Sequence, residues 1–91
     1  MTHDPILEHM AWLQRVFMAK LYTEVQASER PRGHGMDSIT AAAVGEEISR
    51  HYEIPLRVSW EWLMTLTAGE IAAKLASASE ESGKGSNNAG N

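Results

Sequence analysis

Gly35-Met36-Asp37-Ser38-Ile39, continuing into Thr40-Ala41-Ala42-Ala43-Val44, is the stretch on which the reading of the fold turns. A polar, glycine-containing segment gives way there to an alanine-rich one, and Asp and Ser are both common helix caps. Alanine favours helix, and Val44, Ile48 and Tyr52 fall at i, i+4 and i+8 to make one apolar stripe. The pattern predicts a helix from about Ser38 to His51 or Tyr52, with Glu46, Glu47, Arg50 and Glu53 facing mostly outward. Gly45 interrupts it at a cost on the order of 1 kcal/mol against alanine. Close packing, or room for a ligand, is expected beside that glycine.

Upstream, Pro5 suits a first helical turn behind Asp4, and Ile6, Met10, Leu13, Phe17, Leu21 and Val25 recur every three or four residues. This predicts a long amphipathic helix. Leu7, Val16 and Met18 are expected to widen its apolar face, with Glu8, Gln14, Arg15, Lys20 and Glu24 in water. His3 and His9 lack a third metal-type residue at useful spacing and are read as surface residues. From Gln26 to Asp37 the periodicity stops, and two glycines, a proline and charged residues predict a loop. Its Gly33-His34-Gly35 run lacks the glycine spacing and the Lys-Ser/Thr ending of a P-loop.

Downstream, Pro55 disfavours helical geometry at Ile54, so Ile54-Pro55-Leu56-Arg57-Val58 is expected to cross back as an extended loop. Ser59 then caps a short third helix holding Trp60, Trp62, Leu63 and Met64. Thr67 and Glu70 have the spacing of a capping box ahead of Ile71, Ala72, Leu75 and Ala76, predicting a fourth helix to about Ala78. Residues 80–91 contain no large apolar side chain and are expected to form a disordered tail or linker, leaving 1–79 as one domain. The fold class is therefore all-α, a small four-helix bundle of three longer helices and one short one. Phe17, Leu13, Val44, Ile48, Tyr52, Leu75 and Ile71 are its expected core.

The chain has 91 residues, no cysteine and a formal net charge of -4, which suits one small domain with no disulfide framework. No apolar run approaches the roughly 20 residues needed to span a bilayer, and Met1-Thr2-His3-Asp4-Pro5 lacks a basic segment followed by an apolar one. A cytoplasmic protein is expected. Acidity concentrates over residues 37–54, where Asp37, Glu46, Glu47 and Glu53 stand against Arg50 alone. With no basic stripe, phosphate-led binding to nucleic acid is not expected, and a basic protein partner is favoured.

The order Gly35-Met36-Asp37-Ser38-Ile39, then Val44, Ile48, Tyr52-Glu53-Ile54 and Leu56, then Thr67 with Ile71-Ala72 and Leu75, resembles an acyl carrier protein of the polyketide synthase type. The resemblance spans residues 35–76 by motif and the first helix by shape. It implies that Ser38 carries 4'-phosphopantetheine, transferred from coenzyme A by a separate phosphopantetheinyl transferase. Asp37 resembles the family residue that helps the transferase engage its metal and cofactor; read from the residues alone, it is a helix N-cap. The resemblance further implies a non-catalytic carrier that presents acyl intermediates to a ketosynthase, an acyltransferase and other synthase domains, working as a monomer. No triad of its own is needed, in keeping with the absence of any histidine or carboxylate arranged as one.

Partner recognition in such carriers is led by the second helix, which makes Ile39, Glu46, Glu47 and Arg50 candidate docking residues for basic enzyme patches. Trp60 and Trp62 are atypical of the family's third helix. Two residues apart, they point about 200 degrees from one another on a helix, so one of them is expected to be exposed and to contact a partner or the tethered chain. The chain also departs from the family at His34, where a leucine is usual, at Ala43, where an acid is common, and at Leu66, where proline is usual. Charges replace the usual apolar anchor of the first loop, which is therefore expected to be looser. Three other readings are a peptidyl carrier of a nonribosomal peptide synthetase, a carrier of primary fatty-acid synthesis, and a helical interaction module that never carries a cofactor. The peptidyl group shows two glycines before the residue preceding serine, the fatty-acid carriers are more acidic, and the module needs Ser38 to be a plain cap.

Overall fold

The computed structural model describes the backbone of residues 5–89 and the side chains of residues 5–79. It contains four α-helices and, among the described residues, no strand: α1 Pro5–Leu21, α2 Ser38–Tyr52, α3 Leu56–Thr65 and α4 Ala68–Ala89. The expected class holds, with α3 the short member. Leu13 and Phe17 of α1, Val44 and Ile48 of α2, Leu63 of α3, and Ile71 and Leu75 of α4 are wholly buried and meet in one core. Each stripe delivers its residues because the 3.6 period keeps i, i+3 and i+4 on one face. Tyr52 is the exception in the expected set, half-buried at the margin of the core.

Several boundaries differ from the sequence reading, each for a local reason. Helix α1 stops at Leu21 because Tyr22 turns left-handed (φ 59°), its N–H still bonded to the Met18 carbonyl at 3.1 Å. Val25 is buried, but from the connection and not from the helical stripe. Leu7 and Met18, expected to widen the apolar face, are instead 67% and 49% exposed. His9, read as a surface residue, is half-buried and hydrogen-bonds the Tyr52 hydroxyl across α1 and α2. His3 lies outside the described residues.

The α1–α2 connection is anchored where a looser loop was expected. A short 3-10 helix, Pro31–His34, forms within it, and buried Pro31, Val25 and Met36 take the place of the missing apolar anchor. The carbonyls of Ala27 and Glu29 accept the N–H groups of Gly69 and Ala68 at 2.8 and 2.9 Å, so the connection caps the start of α4. The Thr67–Glu70 box completes that cap as expected. Thr67 N–H donates to Glu70 Oε1 at 2.9 Å and Glu70 N–H to Thr67 Oγ1 at 3.2 Å.

Helix α3 begins at Leu56, directly after Pro55, so the extended crossing is confined to Ile54 and Pro55. Ser59 is consequently no cap. It lies buried inside α3 and donates its hydroxyl to the Gly45 carbonyl at 3.0 Å, with Leu56 O at 3.1 Å as the intrahelical alternative. Gly45 is buried, and a methyl group there would sit 3.3 Å from Leu56 Cδ1, 3.5 Å from Ser59 Oγ and 3.7 Å from Leu63 Cδ1. The glycine therefore marks a close crossing of α2 and α3, the packing alternative of the two expected. Helix α4 runs to Ala89, past the expected end near Ala78 and through most of the stretch expected to be disordered. Extending an established helix gains one hydrogen bond per residue ordered, so a polar segment can continue a helix that its packed first turns have nucleated.

Candidate functional site

The approach to Ser38 is built one residue at a time. Gly35 (φ 80°) turns the chain out of the 3-10 helix through the left-handed region that glycine enters at no steric cost. Met36 follows, 6% exposed, and ties the approach to the core. Asp37 is the N-cap of α2: its Oδ1 accepts the Thr40 N–H at 2.8 Å and its carbonyl the Ala41 N–H at 2.8 Å. Ser38 is the first helical residue and is exposed, and Ile39 beside it is 80% exposed. An anchored backbone thus presents a hydroxyl to solvent at the positive end of the helix dipole.

The backbone N–H of Thr40 is the main reason the Asp37 carboxyl is held below its ordinary range. Glu70 is lowered likewise, chiefly by the N–H of Thr67. Depressed folded-state values mean that these caps stabilise fully above the unfolded carboxylate range, near about pH 4, and lose their effect as pH falls through the lower folded values. Thermal midpoints should therefore drop on acidification below about pH 4. Asp37→Asn keeps a capping oxygen and should flatten part of that drop. An unchanged acid profile would show that the carboxylate's charge is not what the cap uses.

Ile39, Glu46 and Arg50 stand at i, i+7 and i+11, which places them on one face of α2. Glu46 is exposed, and the Arg50 side chain is 70% exposed. Glu47, also in the expected docking set, is half-buried between Arg50 and α1. Its carboxylate meets Arg50 at 3.0 Å and Lys20 of α1 at 3.8 Å, and the Arg50 hydrogen bond leads in lowering its pKa. Of the tryptophans, Trp60 is the exposed one at 40%. Trp62 packs against the core, with Lys74 Nζ 6.0 Å from its ring centroid. Glu47 and Trp62 are thus half-buried, whereas Ile39, Glu46, Arg50 and Trp60 are exposed.

Two features outside this site were missed in the sequence. Trp12 of α1 stacks on His51 of α2 with centroids 4.6 Å apart and planes at 24°, while Tyr52 meets the Trp12 ring edge-on at 5.2 Å. Burial, followed by the charge of Glu8, raises the Tyr52 pKa. Adjacent His51-Tyr52 and the pair His9, Trp12 at i, i+3 are the only sequence signals of this cluster, and neither specifies the pairing. The second feature is a concavity of about 580 Å³ lined by Ser28, Glu29, Arg30, Arg32, Gly33 and His34. Among the described residues no group of three or more His, Cys, Asp or Glu could hold a metal ion, and no helix is long and apolar enough to cross a membrane.

The chain matches no protein-family model, no curated protein and no solved structure.

Proposed function

We propose that the protein is an acyl carrier of the polyketide synthase type, with 4'-phosphopantetheine on Ser38. The observation that carries the reading is the exposed Ser38 hydroxyl at the first position of α2, directly after the Asp37 cap, within the Gly35-Met36-Asp37-Ser38-Ile39 motif. The residues present fit the group. A phosphodiester on Ser38 would lie against the first turn of a helix, where the dipole favours an anion by about 0.3–1 kcal/mol at an exposed site. When bound, the group supplies a flexible arm ending in a thiol that holds an acyl chain as a thioester. Tethering keeps that chain at high effective concentration for successive enzymes.

The chain's own residues serve the arm in distinct ways. Gly35 and Met36 set the direction of approach, Asp37 holds the helix start, and Ile39, Glu46 and Arg50 offer a docking face for a transferase, ketosynthase or acyltransferase. Charged contacts of this kind favour fast, reversible encounter. The protein is thus a substrate of enzymes, working as a monomer in the cytoplasm. The test is intact mass after incubation with coenzyme A, magnesium and a broad-specificity phosphopantetheinyl transferase. The wild type should gain one phosphopantetheine and Ser38→Ala, of equal helicity, none. A folded wild type that gains no mass would instead favour a cofactor-free interaction module.

A further inference from the structure

We propose that the α1–α2 connection forms a binding site for a small diphosphate-bearing molecule, held by Arg30 and Arg32. The concavity they line, about 580 Å³ and open to solvent, has room for more than a single phosphate. Its walls are positioned in advance. Pro31 is buried, the carbonyls on either side of Ser28 are bonded to the start of α4, and the Gly33 N–H closes the 3-10 turn on the Arg30 carbonyl at 2.9 Å.

Both guanidinium groups have donors left for a ligand. Arg30 spends Nε on the Thr65 carbonyl at 3.3 Å, which fixes the guanidinium while both of its terminal nitrogens remain. Arg32 is exposed and pairs with no acid among the described residues. His34 donates Nε2–H to Glu29 Oε1 at 3.0 Å and so holds that acid in place, adding no further donor to the ligand. Ser28 adds a hydroxyl to the same wall. The one acid in the wall, Glu29, is already engaged by the Gln26 N–H at 2.8 Å and by His34, and the former is the leading cause of its lowered pKa. Two guanidinium forks beside a hydroxyl match phosphate oxygens better than a carboxylate, because several acceptors can be met at once.

Gly33 leaves the concavity open: a methyl group built there would meet nothing within 4 Å. The chemistry differs from a P-loop, in which backbone N–H groups cradle the anion; here side chains clamp it. Nothing in the arrangement depends on modification of Ser38.

The experiment is a backbone amide NMR titration of the full chain with inorganic pyrophosphate and with ADP, beside sulfate at equal ionic strength. Saturable shifts confined to residues 28–34 are expected with both diphosphates, and Ser38→Ala should show the same response. Arg32→Gln should weaken binding about tenfold. Gly33→Glu, which the open space tolerates, should abolish it while the spectrum elsewhere stays folded. Tighter binding of pyrophosphate than of ADP would assign the free anion as ligand, and tighter binding of ADP a diphosphate ester. Absence of a saturable shift with either, an equal response to sulfate, or unchanged affinity in both Arg32→Gln and Gly33→Glu would overturn the proposal.

Discussion

Replacing Phe17 by alanine is expected to leave most of the chain unfolded at room temperature. Phe17 is wholly buried where α1 meets the common core, among Leu13, Val44, Ile48, Leu63, Ile71 and Leu75. Removing a buried phenyl ring costs about 3–5 kcal/mol, combining lost transfer free energy with a cavity that the surroundings only partly fill. A single core in a chain this size supplies a net stability of only about that magnitude. Far-ultraviolet circular dichroism during urea titration would measure it. A variant retaining the wild-type midpoint would mean that α1 contributes little to the core.

Gly69→Ala is expected to destabilise by about 1–3 kcal/mol, although alanine is the better helix former. A methyl group at Gly69 would lie 3.0 Å from the Ala27 carbonyl oxygen and 3.2 Å from Ala27 Cβ, so backbone would have to move. That movement also disturbs the Gly69 N–H bond to the same carbonyl. Gly45→Ala provides the contrast. There the nearest atom, at 3.3 Å, is the far end of the Leu56 side chain, which is 43% exposed and can turn aside. Gly45→Ala should therefore be neutral or stabilising by up to about 1 kcal/mol. Urea midpoints of the two variants, measured side by side, check the pair. Equal effects would show that the connection does not press on α4.

The helix start that presents Ser38 was legible in the sequence because its determinants are local. The Asp37 N-cap and the Thr67–Glu70 box each act within one turn, and both are present at the residues that suggested them. The core was legible for the same reason, since stripe periodicity needs no knowledge of partners. What escaped was decided at a distance. Ser59 has the local signature of a cap, but a carbonyl on another helix takes its hydroxyl and draws it inside. Glu47 looks like any exposed acid until Lys20 is brought beside it. The loop charges suggested slackness, because no local rule states that Pro31 will be buried or that the Ala27 carbonyl will meet Gly69.

The cap that the connection places on α4 also determines when two particular amide protons can reach solvent. The N–H groups of Ala68 and Gly69 sit in a helix's first turn, where exchange is ordinarily fast because such donors have no intrahelical acceptor. Here Glu29 and Ala27 supply those acceptors from far upstream in the chain. Their exchange rates therefore track opening of the α1–α2 connection and not fraying of α4, making these two positions a built-in clock for loop detachment.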